Sequence, residues 1–262
     1  MVEIRRIENM SGLDKPRRIM KYVLLYCSDG EIQLTVDESA FTISSGDLIT
    51  ITSGQFHQIH KSATSKGFIL EFSLDFFCKD DNDIELIFHN GLFCHFAMNE
   101  VIPVDESFIL SQLQLIEQEL TDKPYQYLIS IHSRIELILV AINRVKVKRG
   151  DEIWKPDALF LKFLEAVRSN LEKKYSLSDF AQSLGTTEQK LNELAKLHAG
   201  KTAQNVIYGL ITSEAKRLLT YEELSVKEVA FRLGFNDPFY FSNFFKKQSG
   251  LSPKMYKERL KK

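Results

Sequence analysis

The pattern that most limits how this chain can fold occurs twice: a capped short helix, a glycine stop, and a second helix that begins at once. The clearer copy runs S-V-K-E-V-A-F-R-L-G-F-N-D-P-F-Y-F-S-N-F-F-K-K-Q-S-G-L-S-P, from Ser225 to Pro253. Ser225 and Glu228 have the spacing of a capping box, in which each side chain bonds the other's backbone amide. Val229, Ala230 and Leu233 share one face of the helix that follows, and Gly234 stops it. Asp237 is placed to cap the next helix, with Pro238 at its first position. Two short helices joined by a tight turn containing glycine form a helix-turn-helix. Upstream, S-L-S-D-F-A-Q-S-L-G (Ser176 to Gly185) matches the pattern of S-V-K-E-V-A-F-R-L-G, sharing its Ser, Ala, Leu and Gly positions, with Asp179 in the place of Glu228. Gly200 closes this copy as Gly250 closes the other.

The second helix of each copy separates its residues by role. Tyr240, Phe241, Phe244 and Phe245 are expected on one buried face, and Phe239, Ser242, Asn243 and Lys246 on the opposite one. With Pro238 and Lys247 beside it, this second set suits a major groove. Asn pairs bidentately with adenine, Ser reads either edge, Phe meets a thymine methyl and Lys sits on phosphate. In the first copy Leu191, Leu194 and Ala195 form the inward face, and Gln189, Asn192, Glu193 and Lys196 the outward one. An ordinary amphipathic surface helix would show the same division. The repetition within about 75 residues, across one long helix, favours a bipartite module on double-stranded DNA.

At this point the chain resembles the AraC-type family of bacterial transcription regulators. The resemblance is carried by A-K-R-L-L (Ala215 to Leu219), S-V-K-E-V-A-F-R-L-G-F (Ser225 to Phe235), Y-F-S-N-F-F-K-K (Tyr240 to Lys247) and G-L-S-P-K-M-Y (Gly250 to Tyr256), and it covers roughly the last 100 residues. It implies a regulator whose two helix-turn-helix units read adjacent major-groove segments, with RNA polymerase as a further partner. Departures from the family pattern are Glu188 and Glu193 on the first reading helix, Ile211 and Glu214 on the connecting helix, and Asn243 where arginine is common. Carboxylates near phosphates weaken binding. Weak, dimer-dependent affinity is therefore expected.

Charge divides the chain in the same place. From Lys155 to Lys262 there are 19 Lys+Arg against 12 Asp+Glu, a net +7, which leaves −8 for Met1 to Trp154. A basic part suits a polyanion and an acidic part stays off it. Cys27, Cys78 and Cys94 are scattered and lack CxxC spacing, so neither a disulfide framework nor a zinc site is expected. No secretory signal and no run of about 18 apolar residues is found, so the reading is cytoplasmic with no membrane partner.

Residues 1–148 read as the first domain, 149–157 as a linker and 158–262 as the DNA-binding domain. Met1 to Arg18 is polar and basic, an arm leading into the first domain. Y-V-L-L-Y (Tyr22 to Tyr26), the turn Ser28 to Gly30 and E-I-Q-L-T-V (Glu31 to Val36) look like a hairpin. Further short strands fit Ala40 to Ile43, Asp47 to Thr52, Gln55 to His60 and Gly67 to Phe72, which points to a small barrel or sandwich. Gly46-Asp47 and Ser53 to His57 resemble the second motif of the cupin barrel, so the fold class is α+β, a cupin-like barrel followed by an all-α domain. The Phe-rich stretch Leu74 to Pro103 should cover one opening of that barrel, where it either lines an effector pocket or serves as core. Two helices follow, Ser107 to Thr121 and Tyr125 to Lys148. In the second, Leu128, Ile131, Ile135, Ile138, Ile142 and Val145 form an a/d seam expected to join a homodimer, packing within one subunit being the alternative.

His57 and His60 would face opposite sides of a strand, and no earlier strand offers His-x-His, so no metal and no cofactor are expected. Nothing resembles a nucleophile elbow, a phosphate loop or a paired-carboxylate site, so an enzyme is not expected. The alternatives are a cupin enzyme, or an interaction scaffold with degenerate DNA-binding helices. The favoured function is a sequence-specific DNA-binding regulator, dimerised or controlled through its barrel by a small-molecule effector.

Overall fold

The computed structural model describes residues 1–37, 39–61, 64–88, 92–93, 99–150, 157–173, 175–222 and 224–259. The chain divides into two units, Met1–Lys155 and Pro156–Lys262. The first contains strands β1 (Val2–Arg6), β2 (Arg17–Arg18), β3 (Tyr22–Asp29), β4 (Glu31–Val36), β5 (Ser39–Ser44), β6 (Asp47–Ile51), β7 (Phe56–Lys61), β8 (Lys66–Phe72) and β9 (Val101–Pro103). Its helices are α1 (Leu74–Phe77), α2 (Asp81–Phe88), α3 (Glu106–Asp122) and α4 (Tyr127–Lys148). The strands form two antiparallel sheets, ordered β1-β8-β3-β6-β9 and β2-β7-β4-β5. The mixed class expected from the pattern is the class observed.

Alternation along the strands builds the core. Val23, Leu25 and Cys27 of β3 meet Ile49, Ile51 and Ile69 on their own sheet and Ile32, Leu34, Ile43 and Ile59 from the other, all fully buried. Tyr22, Leu24 and Tyr26 point to the opposite face, yet they are buried too, so β3 reads as an unbroken apolar run. Tyr22 and Phe72 pack there with Phe77 and Phe93, at ring separations of 5.2–6.0 Å. The Phe-rich stretch thus covers the outer face of a sheet rather than a barrel opening. Much of it, including His89, Cys94 and His95, lies outside the described residues. Gly67 sits where a Cβ would lie 2.1 Å from the Tyr26 carbonyl oxygen, so only glycine lets β8 approach β3.

Two further expectations change. β3 and β4 do not pair: β3 joins β6 and β8, β4 joins β5 and β7, and Gly30 at φ +77° carries the chain from one sheet to the other. The N-terminal stretch is not a free arm, because β1 pairs with β8 and β2 with β7. Three of its arginines, Arg5, Arg6 and Arg17, are paired with carboxylates. Glu71, buried between the sheets, accepts from Arg5 (2.7 Å) and Arg17 (2.5 Å). Arg6 grips Glu117 of α3 with both nitrogens of its fork (2.8 and 2.6 Å). Arg17 also donates from Nε to His57 Nε2 (2.8 Å), which fixes that nitrogen as an acceptor. Burial, and then the Arg17 charge, push the His57 pKa down to about 4. His57 is buried and His60 exposed, on opposite faces of β7. Among the described residues no cluster of His, Cys, Asp or Glu could hold a metal ion.

The seam on α4 also receives a different role. Ile131, Ile135, Ile138 and Ile142 are 0–1% exposed within one subunit, where Ile109, Leu113 and Ile116 of α3 are equally buried. They are core and cannot pair two copies. A heptad stripe announces that a face is buried but not by what. Leu128 is exposed and Val145 half-buried, at the margins of that core. The outward face of α4 carries Ile129, Leu137, Val140 and Val147 instead. His132, on the same helix, places Nε2 2.7 Å from the Phe77 carbonyl oxygen and 3.3 Å from Asp83, which ties α4 to α1 and α2.

The second unit is helical: α5 (Ala158–Ser169), α6 (Leu177–Ser183), α7 (Glu188–Ala199), α8 (Ala203–Tyr221), α9 (Val226–Arg232), α10 (Pro238–Ser249) and α11 (Pro253–Arg259). No described helix is long and apolar enough to cross a membrane. Of the expected linker, residues 151–156 lie outside the described residues.

Candidate nucleic-acid interface

Local chemistry alone sets the four short helices. Ser225 Oγ accepts from the Glu228 amide (3.2 Å), and Glu228 accepts from the Ser225 amide (2.7 Å). Ser176 and Asp179 repeat both bonds at 3.2 and 2.7 Å. These bonds hold the Glu228 and Asp179 carboxyls below the usual carboxylate range, with the serine side-chain bond the largest cause. The turns follow at Gly185 (φ +63°) and Gly234 (φ +74°), which leads into α7 capped by Thr187 and α10 capped by Asp237. Each ends on a left-handed glycine, Gly200 and Gly250.

The inward face of α10 holds the second helix-turn-helix together. Phe241 and Phe245 are fully buried against Ala215, Leu218 and Leu219 of α8, Val229, Ala230 and Leu233, and Tyr256 of α11. Phe244 is half-buried, with its ring 5.3 Å from Tyr208 of α8. Tyr240 departs from expectation. It is 70% exposed, one edge leaning on Phe235 at 6.1 Å, because residue 240 lies about 100° around the helix from Phe241 and on the side of Lys247.

The outward residues of the two reading helices are differently employed. On α10, Phe239 is 80% exposed, Asn243, Lys246 and Lys247 are exposed, and Pro238 opens the helix. Ser242 donates its hydroxyl proton to the Pro238 carbonyl (2.8 Å) and is half-buried. On α7, Gln189 donates to Glu193 (3.0 Å), so both point at each other. Asn192 is half-buried and doubly engaged: its Nδ2 donates to the Glu188 carbonyl (3.1 Å) and its Oδ1 accepts from the Ala203 amide (3.0 Å). It ties α7 to the first turn of α8 and is a structural residue, contrary to the expected groove role. Lys196 is exposed at the C-terminal end. Asn192→Ala should therefore cost the second unit about 1–2 kcal/mol in urea unfolding. The relative affinities for different DNA sequences should stay unchanged; a changed preference would return Asn192 to the groove.

Comparison with known proteins agrees with this division of the chain. The family model described as "AraC-like ligand binding domain" matches residues 4–132, and the one described as "Helix-turn-helix domain" matches residues 180–259. The chain belongs to the AraC-type family. This AraC-type chain is 31% identical over 106 residues to the HTH-type transcriptional activator RhaR of Enterobacter sp. (strain 638), covering 40% of this chain and 38% of that one. It is 29% identical over 103 residues to RhaR of Klebsiella pneumoniae, covering 39% and 37%. The matched region thus spans under two-fifths of the length of either relative. Among solved structures, ToxT of Vibrio cholerae is similar at 16% identity over 100% of this chain and 99% of that one, with a TM-score of 0.45.

Proposed function

We propose that this chain is a sequence-specific DNA-binding transcription regulator in which α10 is the principal reading helix and the first unit supplies effector control or pairing. The observation that carries the reading is the outward face of α10. Phe239, Asn243, Lys246 and Lys247 stand in solvent, and the Asn243 side chain makes no hydrogen bond to any described residue. An exposed phenylalanine beside an uncommitted amide and two lysines is the composition of a groove-reading surface. Its counterpart on α7 is engaged within the protein, so α7 contributes backbone contacts through Lys196 more than base contacts. The +7 charge of this part of the chain supports the same partner.

The test is a titration of wild type and two variants on a selected duplex and on its scrambled counterpart, at two salt concentrations. Asn243→Ala should lose about 1–3 kcal/mol on the selected site alone. Lys246→Ala should weaken both duplexes alike and lower the salt slope by about one. Identical behaviour of the two variants would refute the assignment. Pairing of two copies, on this reading, uses the outward stripe of α4, Ile129, Leu137, Val140 and Val147, and not the buried isoleucines. A small molecule held by the first unit and contact with RNA polymerase complete the proposal, in keeping with relatives named as transcriptional activators.

A further inference from the structure

We infer that α10 selects an A·T-rich segment, with Phe239 seated on a thymine methyl and Asn243 paired to an adenine, and without a guanine contact. The inference rests on the DNA-reading role proposed above and adds to it the class of sequence that is read.

The argument is one of donors and acceptors. A reading helix presents its N-terminal residues to base edges, and its later turns lie nearer the backbone. The chain around the start of α10 runs Asn236, Asp237, Pro238, Phe239, Tyr240, Phe241, Ser242, Asn243, Phe244, Phe245 before the first lysine, Lys246. Guanine shows two acceptors, O6 and N7, to the major groove and calls for the paired donors of Arg or Lys. None exists in this span. Asp237 is an acceptor and already receives the Phe239 amide at 2.9 Å. The Ser242 proton is committed to the Pro238 carbonyl. Asn243 offers one acceptor and two donors side by side, which matches adenine N6–H and N7 and mismatches the two acceptors of guanine.

Phe239 makes the complementary selection. Its ring is 80% exposed, a cost in water that contact with an apolar partner would relieve. Thymine alone carries a methyl into the major groove. Cytosine would instead place its N4–H donor against the ring and lose hydration without compensation. Phe239 and Asn243 are four residues apart on one helix face, about 6 Å along the axis, so their contacts fall within roughly two base-pair steps of about 3.4 Å. Tyr240 and Lys247 flank the pair and are placed for phosphates, which carry no sequence information.

The experiment is selection of duplexes from a randomised pool by the full chain, followed by titration of the enriched duplex with single-atom-group changes. Enrichment of T and A within two positions of each other is expected. Replacing that thymine by deoxyuridine, which removes only the methyl, should weaken wild type about threefold to tenfold and leave Phe239→Ala unaffected. Replacing the adenine by its 7-deaza analogue should weaken wild type about tenfold or more and leave Asn243→Ala unaffected. Asn243→Arg should move the selected base to guanine. Enriched G·C at these positions, or wild-type indifference to both modified bases, overturns the inference while DNA reading stands. A folded protein that enriches nothing overturns DNA reading itself.

Discussion

Ile138→Lys should unfold the first unit, and Leu137→Lys, one residue away, should leave it folded. Ile138 is fully buried between α4 and the core beneath it, and Leu137 is half in solvent. The isoleucine loses about 3 kcal/mol of burial. The ammonium that replaces it has no carboxylate among the buried isoleucines to neutralise it, which adds several kcal/mol. The sum exceeds about 4–5 kcal/mol, a large part of a typical domain's stability. Leu137→Lys should stay within about 0.5 kcal/mol in the isolated subunit. Far-UV circular dichroism through a urea titration separates the two. An Ile138→Lys protein that folds normally, with only its assembly state changed, would restore the isoleucine seam as a subunit contact.

A second large effect should appear on acidification. The first unit should lose roughly 3 kcal/mol between pH 6.5 and pH 4, and His57→Gln should abolish that part of the loss. A histidine that takes up its proton near 6.5 when unfolded and near 4 in the folded state is held neutral by folding. The unfolded chain therefore binds the proton first as the pH falls, so the stability is fully present above 6.5 and is lost progressively down to about 4. The structural cause is plain. Burial is the larger part, since it penalises the charged ring; in addition Nε2 accepts from Arg17, and a proton there would remove the acceptor and set two cations together inside the sheets. His198 shifts in the same direction in the second unit, through burial, with Nε2 accepting from the Asp157 amide. The informative quantity is therefore the difference between wild type and His57→Gln at each pH. Parallel curves for the two proteins would remove His57 from the account.

These two residues also mark the boundary of what the sequence makes legible. Caps, glycine stops and strand alternation act over a few residues, so the helix-turn-helix units, most strands and the mixed fold class can be read directly. Ionic and sheet partners act over long separations. Arg17 reaches Glu71 across 54 residues and Arg6 reaches Glu117 across 111, and nothing near either arginine announces its partner. The same distance problem turned an apparent hairpin at Ser28 to Gly30 into a passage between sheets. Periodicity fails in a different way. It identified the isoleucines of α4 as buried but could not say that α3 and a sheet, rather than another subunit, bury them. Asn192 looks outward by helical spacing, and only the Ala203 amide, 11 residues on, reveals its engagement.

That last bond has a mechanical meaning. Asn192 fastens α7 to the beginning of α8, and Tyr208, five residues into the same helix, presses its ring on Phe244 of α10. Helices α7 and α10 are thus bolted to one rod at points barely more than a turn apart, so neither can slide or swivel without breaking the bond at the start of the rod or parting the edge-to-face rings. On the DNA-binding role proposed above, a protein built this way measures as well as reads: it acts as a fixed gauge, for which the interval between the stretch read by α10 and the backbone held by α7 matters as much as the letters.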